Sequence, residues 1–175
     1  EELRDLGLRL RSLGWEAAEA PDVVARQLAA NAGLVRGLAD RLQSQPPRGV
    51  VTYARGSSDH AATFAKYVIE TRAGVLTTSA APSIASIYGD APDLRDMLAL
   101  VISQSGKSPD ILASAEAAKT AGAFSVALVN AEGSPLSDLC DMTVPLYAGA
   151  EQSVAATKSY IASLSAVLHL VAAWS

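Results

Sequence analysis

Hydroxyl-bearing residues cluster in two short turns that each follow an apolar run. The stretch SQSGKSPD, residues 103–110, comes directly after MLALVI, and the stretch ARGSSDH, residues 54–60, follows GVVTY. Serine hydroxyls, an amide and free backbone N–H groups are neutral donors, and a helix N-terminus adds a favourable dipole for an anion. Neutral donors suit one small phosphate, whereas a triphosphate usually recruits a magnesium ion and more positive charge. The two turns therefore predict a site for a single phosphoryl group.

The second of these turns also carries the signals of a helix start. Ser108 is suited to the N-cap position, Pro109 to the first helical position and Asp110 to the first turn. Helix capping alone explains serines and glycines in such turns, so each cluster taken singly fits either capping or ligand binding. The presence of two similar clusters favours a ligand site. Asp110 argues weakly against it, because its carboxylate repels a nearby phosphate.

Two nucleotide-binding motifs are incomplete in this chain. The letters GKS, residues 106–108, form the end of a P-loop, but Val101 stands where the motif requires its first glycine. After the first apolar run, RGSSDHAA contains one glycine, so the G-x-G-x-x-G dinucleotide fingerprint is also missing. We therefore expect neither ATP hydrolysis nor a dinucleotide, and no cofactor.

The elements that must position these turns alternate between strand and helix. The predicted strands are residues 49–54, 75–79, 97–103, 123–130 and 142–147, and the predicted helices are residues 58–74, 82–89, 108–122 and 152–174. Before them, leucines at helical spacing indicate a helix over residues 1–15, and Pro21 opens a second helix that ends at Pro46 and Pro47. Continuous apolar strands between helices indicate a parallel sheet covered on both faces.

We therefore predict a three-layer, doubly wound, five-stranded α/β fold with an N-terminal helical extension over residues 1–47 and a main domain over residues 48–175. If the strand order is 2-1-3-4-5, strands one and three are neighbours whose connections leave in opposite directions. That is the switch point where such folds bind ligands. Both serine clusters then face one crevice at the carboxyl ends of the strands.

Composition excludes several other functions. The 175-residue chain has a formal net charge of −4, which argues against nonspecific nucleic-acid binding. The single cysteine, Cys140, cannot form an internal disulfide and fits a reduced cytoplasmic setting as a buried side chain. Two histidines and one cysteine, far apart in sequence, argue against a metal site. His60 fits a surface or packed ring better than a substrate contact. The most apolar stretch, residues 154–174, contains Lys158 and His169, so we expect a buried helix and no membrane span.

Three stretches together, RGSSDHAA, SQSGKSPD and EQSVAATKSY, resemble the sugar isomerase (SIS) family. The closest likeness is to the isomerase half of glucosamine-6-phosphate synthase and to the related amino-sugar-phosphate deaminases, over about residues 16–175. The resemblance implies roles for matching positions. The phosphate of a sugar would contact Ser57, Ser58, Ser103, Gln104, Ser105 and Ser108, and the sugar would be lined by Val154 and Ala156. Lys107 stands where the synthase often has an acidic residue, so its role stays open.

The resemblance also implies a chemistry. Family enzymes open the sugar ring and move a proton between C1 and C2 with a carboxylate base, which two-lobed members carry in a second SIS lobe. Glu151 is the carboxylate inside a matching motif, but the family places its base elsewhere, so no catalytic residue is assigned. We expect the chain to bind sugar phosphate without completing the reaction alone, and to be one lobe of a longer protein. No N-terminal catalytic cysteine for a glutaminase is present, which favours a deaminase or isomerase over a glutamine-dependent synthase.

The expected partners are a sugar phosphate resembling fructose-6-phosphate or glucosamine-6-phosphate and either a second copy of the chain or a second SIS lobe. We expect no nucleic acid, no membrane and no metal. Two alternatives stay open at this point. The same pocket can serve as a non-catalytic sensor of a phosphosugar, or the apolar helices can serve only as an oligomerising scaffold.

Overall fold

The computed structural model of the chain describes residues 2–81, 87, 92–151 and 156–175. The strands are β1 (Gly49–Tyr53), β2 (Thr77–Ser79), β3 (Met97–Ser103), β4 (Phe124–Val129) and β5 (Met142–Pro145). The described helices are α1 (Glu2–Ser44), α2 (Ser57–Arg72), α3 (Pro109–Thr120), α4 (Pro135–Leu139) and α5 (Lys158–Trp174). All neighbouring strands pair in parallel, in the order β2-β1-β3-β4-β5. The predicted doubly wound sheet and its assumed strand order are confirmed.

The central strands are apolar because helices cover both faces of the sheet. In β3, Leu98, Leu100 and Ile102 face a core that α1, α2 and α5 close, whereas Ala99 and Val101 face a second core under α3 and α4. These five side chains are at most 1% exposed. Burying a side chain of the size of leucine contributes about 1.5–3 kcal/mol, so this strand anchors both layers. Polar chemistry is thereby confined to the turns at the strand ends.

The N-terminal helix is continuous where the sequence suggested two helices. Pro21 lies inside α1, although a proline has no N–H and clashes with the carbonyl four residues earlier. Ala17, whose carbonyl loses that hydrogen bond, is exposed, so water can take the place of the missing donor. Ala20 and Val23, on either side of the proline, are both buried, at 5% and 2% exposure. Continuous packing therefore outweighs the local cost of the proline.

Helix α1 also covers the edge of the sheet next to β5. The Gln27 side chain is fully buried and donates from Nε2 to the backbone oxygens of Leu146 (3.1 Å) and Ala162 (2.9 Å). Asn31 donates to the Pro145 oxygen at 2.8 Å. The Asn31 amide thereby binds a carbonyl group of β5, the strand at the side of the sheet, and the Gln27 amide joins the segment after β5 to α5. The division of the chain at residues 47 and 48 stays a prediction.

Several element boundaries differ from those expected. The last helix begins at Lys158 and not at residue 152, and the short helix α4 was not predicted. The predicted helix over residues 82–89 falls largely outside the described residues. Among the helices of the described residues, none combines the length and apolarity that crossing a membrane requires.

Candidate functional site

The two serine turns lie side by side at the carboxyl ends of β1 and β3. These strands pair in parallel with Tyr53 opposite Val101, so β1 and β3 run in the same direction and end on the same side of the sheet. Adjacent strands are about 4.8 Å apart, so the turns that follow them are neighbours. Ser57 and Ser58 occupy the first turn of α2, with Ser57 exposed and Ser58 half-buried. Sequence reasoning therefore placed these two turns at the correct edge of the sheet.

The turn after β3 orients two hydroxyl groups as donors. The Ser103 Oγ accepts a hydrogen bond from the Gly106 amide at 3.1 Å, and the Ser105 Oγ accepts one from the Lys107 amide at 3.3 Å. A hydroxyl has one hydrogen to donate, and accepting leaves that hydrogen available. Both hydroxyls can therefore donate to an anion placed over the turn without giving up a contact within the protein.

A side chain in place of Gly106, in the middle of this turn, would be both strained and crowded. Its φ is +62°, which non-glycine residues rarely adopt. A Cβ built there would lie 2.7 Å from the Cβ of Ser134 and 3.0 Å from a methyl carbon of Val129. The Gly106 carbonyl also accepts from the Leu136 amide at 3.2 Å. The backbone of the turn is thus packed against the start of α4, which fixes the conformation of the turn, with Ser103 buried and Ser105 half-buried.

An ion pair joins the two turns. Arg55, just before α2, donates from Nη1 to the Oδ2 of Asp110 in the first turn of α3. The Arg55 side chain is 62% exposed and that of Asp110 is 26% exposed. The carboxylate that argued against an anion at this position is therefore paired with a cation. The contact is also direct evidence that the β1 and β3 turns are within reach of each other.

The helices that begin at this edge differ in how their N-termini are satisfied. The N-cap residues of α2 and α3, Gly56 and Ser108, make no side-chain capping bond. The start of α4 is capped by Ser134, whose Oγ accepts from the Ser137 amide. At the start of α3 the Asp110 Oδ1 accepts from the Ile111 amide at 3.0 Å. Unpaired N–H groups at a helix start attract anions, and α2, which begins in the first serine turn, is the start among these three that has no side-chain acceptor within the described residues.

The remaining predicted residues are distributed around this edge. Ser108 occupies the N-cap position as predicted, but its hydroxyl makes no capping bond. Gln104 is half-buried, and its carbonyl accepts from the Ala131 amide at 3.1 Å. Ala156 is half-buried two residues before α5, and Val154 lies outside the described residues. The structure thus brings the serines of β1 and β3 together, with Ala156 near the start of a neighbouring helix.

Glu151 is committed to the protein backbone. Its Oε1 accepts from the amides of Lys158 (2.9 Å) and Ser159 (3.5 Å), and its Oε2 accepts from the Ser159 hydroxyl. The carboxylate therefore caps α5 from seven residues earlier in the chain. This arrangement agrees with leaving the catalytic base unassigned.

Two positioning residues were missed by sequence reasoning. Asn130, at the end of β4, donates from Nδ2 to the Gly149 oxygen and accepts at Oδ1 from the Ala148 amide, both at 2.8 Å. It thereby ties the β4 turn to the segment after β5. Ser134 supports Gly106 and begins α4. The letters SPLSD, with a serine before a proline, are a helix-start signal that was available for Ser134. No local signal indicated Asn130, whose partners are 18 and 19 residues away.

The Cys140 thiol and a cavity of the described residues lie away from the two serine turns. Cys140 is 8% exposed, and burial raises the pKa of its thiol to about 11, so it is not a reactive thiolate. A cavity of about 500 Å³ lies at the amino-terminal edge of the sheet, where Arg41, Met97 and Phe124 are among its lining residues. We place the functional site at the carboxyl ends of the strands, because the serine hydroxyls that accept from the backbone and the uncapped start of α2 coincide there.

The chain matches a known family over most of its length. The model of the SIS domain matches residues 45–173, which include both serine turns and all five strands.

Curated relatives and a solved structure point the same way. The glutamine–fructose-6-phosphate aminotransferase (isomerizing) of Aquifex aeolicus is 40% identical over 123 residues, which cover 70% of this chain and 21% of the relative. The protein of the same name from Brucella abortus is 35% identical over 164 residues, covering 90% of this chain and 26% of the relative. A candidate phosphosugar isomerase from Silicibacter pomeroyi DSS-3 superposes with a TM-score of 0.90 at 42% identity, covering 93% of this chain and 50% of that one.

The chain therefore spans about a quarter of the length of these curated relatives and half of the solved structure. The likeness covers the sheet and the turns described above.

Proposed function

The chain belongs to the SIS domain family, and from that premise we propose that it is the phosphosugar-binding domain of an amino-sugar-phosphate isomerase or deaminase. Its ligand is a sugar phosphate of the fructose-6-phosphate or glucosamine-6-phosphate type. The names of the curated relatives, at 35–40% identity, support this substrate class. The observation that carries the proposal is the turn after β3, where the Ser103 and Ser105 hydroxyls both accept from the backbone and keep their hydrogens for a ligand.

The phosphate binds over the turn after β3, between the starts of α2 and α3. Donors come from the hydroxyls of Ser103 and Ser105, the Ser108 hydroxyl and Ser58 across the crevice. The amides at the start of α2, which has no side-chain cap, add further donors, and both helices add their dipoles. The Arg55–Asp110 pair brings no net charge to the site, and the cation of Lys107 is offset by the carboxylate of Asp59 in the first turn of α2. A mainly neutral cradle of this kind suits a single phosphate monoester.

Calorimetric titration tests this proposal. Glucosamine-6-phosphate and fructose-6-phosphate should each bind saturably to the wild-type chain, and inorganic phosphate should compete. Ser105→Ala should weaken sugar-phosphate binding by about 1–2 kcal/mol, the contribution of one charge-assisted hydrogen bond. Ser44→Ala is the matched control, because Ser44 lies at the end of α1 and its hydroxyl contacts only the Arg41 carbonyl. Equal affinity of wild type and Ser105→Ala would refute the assignment.

A second candidate function is a phosphosugar sensor without turnover. Phosphosugar binding by this candidate needs only the serine turns, where the Ser103 and Ser105 hydroxyls accept from the backbone. A chromatographic assay for conversion of glucosamine-6-phosphate by the purified chain separates the two candidates. Binding with conversion supports the enzyme, and binding without conversion supports either the sensor or a domain that needs a second lobe. We propose that the domain works with a second copy or a second SIS lobe, which light scattering with and without sugar phosphate would reveal as pairing.

A further inference from the structure

The start of α5 is held by two carboxylates from different parts of the chain. On one side Glu151 accepts from the amides of Lys158 and Ser159 and from the Ser159 hydroxyl. On the other side the Lys158 ammonium contacts the Glu19 Oε2 at 2.7 Å. The Lys158 side chain is 8% exposed, so this ammonium depends on its partner. The first turn of α5 is therefore fixed both to the segment after β5 and to α1.

This fixed turn lies beside the candidate phosphate site. Helices α2 and α5 pack together in one core, where Ala61 and Ala62 of α2 and Ala162 of α5 are each at most 1% exposed. Both helices follow a strand of the same parallel sheet, so both begin at its carboxyl edge. Ala156, which the family resemblance places against the sugar, precedes α5 by two residues. The position of the α5 start therefore sets where Ala156 stands relative to the serines of α2.

The cap also decides which helix starts remain open to an anion. An anion that approached α5 would meet two amides, a hydroxyl and the positive end of the helix dipole. Glu151 already occupies these donors, and its charge repels a second anion. The start of α2 has no such side-chain cap, and at the start of α3 the Asp110 carboxylate, which accepts from the Ile111 amide, is paired with Arg55. The phosphate of a ligand is thereby directed to the serine turns, and the sugar is directed towards Ala156.

We propose that Glu151 is a positioning residue for phosphosugar binding: it fixes the turn that contacts the sugar and keeps the phosphate away from the start of α5. This inference rests on the proposed function. It also distinguishes Glu151 from a catalytic base. Both carboxylate oxygens already accept hydrogen bonds from the protein. A base must instead reach a proton of the substrate, and its replacement by glutamine removes the reaction without moving the affinity.

The test compares fructose-6-phosphate with inorganic phosphate in calorimetric titrations of wild type, Glu151→Ala and Glu151→Gln. Loss of the cap should raise the Kd for fructose-6-phosphate about tenfold in Glu151→Ala. Glutamine keeps an acceptor oxygen for the Lys158 amide, so Glu151→Gln should lose only about threefold. The affinity for the first inorganic phosphate should stay within about twofold, because the serine turns are untouched. Glu151→Ala should also take up a second phosphate at the vacated donors of α5.

A matched variant keeps the test decisive if Glu151→Ala does not fold. Ser159→Ala removes one donor to the Glu151 carboxylate and leaves the charge and both amides. It should therefore lower the affinity for fructose-6-phosphate less than Glu151→Ala does, and it should leave the affinity for inorganic phosphate unchanged. An unchanged fructose-6-phosphate affinity in Glu151→Gln and Ser159→Ala would overturn the inference. Equal losses of affinity for fructose-6-phosphate and for inorganic phosphate would overturn it as well. So would a folded Glu151→Ala that binds no second phosphate. If the wild-type chain binds neither ligand, the proposed function itself fails.

Discussion

Replacement of Gly106 by alanine is the sharpest probe of the turn after β3. Two separate costs follow from its surroundings. The φ of +62° carries a cost of about 1–2 kcal/mol for a residue with a Cβ. The new methyl group would also lie 2.7 Å from the Ser134 Cβ and 3.0 Å from a Val129 methyl carbon, an overpacking that adds about 1–3 kcal/mol. We therefore expect Gly106→Ala to lower the free energy of unfolding by about 3 kcal/mol.

The chain supplies a control that separates the two costs. Gly133 has a φ of +59°, nearly the same as that of Gly106, but a Cβ built there meets nothing within 4 Å. Gly133→Ala should therefore lose only the backbone part, about 1 kcal/mol. Combining Gly106→Ala with Ser134→Gly removes the closest contacts, so the double variant should recover most of the steric part. Urea denaturation followed by circular dichroism measures all three variants.

Gly106→Ala should reduce ligand binding more than it reduces the stability of the fold. Moving the backbone at Gly106 shifts the amide that the Ser103 hydroxyl accepts from, and with it the hydrogen offered to the phosphate. Folded Gly106→Ala should therefore lose measurable sugar-phosphate binding, whereas Gly133→Ala should keep it. Equal unfolding free energies for the two alanine variants would refute the steric argument. Wild-type affinity in Gly106→Ala would refute the placement of the phosphate over this turn.

Three further predictions concern the surroundings of the site. Arg55→Ala leaves the negative charge of Asp110 without its cation and should weaken phosphate binding about fivefold, whereas Asp110→Asn should strengthen phosphate binding. Calorimetry at two salt concentrations would detect both effects. A change of affinity in the same direction in the two variants would contradict the electrostatic account. Gln27→Met removes the side-chain donor to the buried Leu146 carbonyl, whereas the Ala162 carbonyl lies inside α5 and keeps the hydrogen bond of its own helix. The variant should lower the free energy of unfolding by about 1 kcal/mol in urea denaturation, and a neutral effect would show that water replaces the amide. Burial raises the pKa of the Cys140 thiol to about 11. Iodoacetamide at pH 8 should therefore alkylate Cys140 at least about tenfold faster in urea than in the native state. Equal alkylation rates would show that the thiol is exposed in the native state.

The sheet was readable from the sequence because its strands are apolar on both faces. In a parallel sheet covered by helices no alternation is needed, and runs such as MLALVIS indicate a buried strand directly. The order of the strands was an assumption, which the pairing of β1 with both β2 and β3 confirms. The place of the two serine turns followed from that order alone. Which hydroxyls donate could not be predicted, since it depends on backbone amides such as that of Gly106 folding back.

The features that sequence reasoning missed depend on contacts between distant residues. Pro21 reads locally as a helix start, but α1 continues through it because Ala20 and Val23 pack on the same core. Local signals indicate an ordinary turn residue at Asn130, but its side chain forms hydrogen bonds with the backbone of Ala148 and Gly149, 18 and 19 residues further along the chain. The sequence left Glu151 without an assigned role, and its role as the cap of α5 depends on partners seven and eight residues further along the chain. Local signals record propensity, whereas these roles follow from tertiary packing.

The helix starts at the carboxyl ends of the strands differ in their capping, which explains how this part of the molecule can be rigid and also bind a ligand. Ser134 and Glu151 satisfy the starts of α4 and α5, so the amides there stabilise the fold and are not available to a ligand. The start of α2 carries no side-chain cap, and at the start of α3 Asp110 accepts from the Ile111 amide. A phosphate over the two turns supplies an acceptor for the amides at the start of α2 and for the serine hydroxyls. Binding should therefore stabilise the fold through the same donors that recognise the ligand.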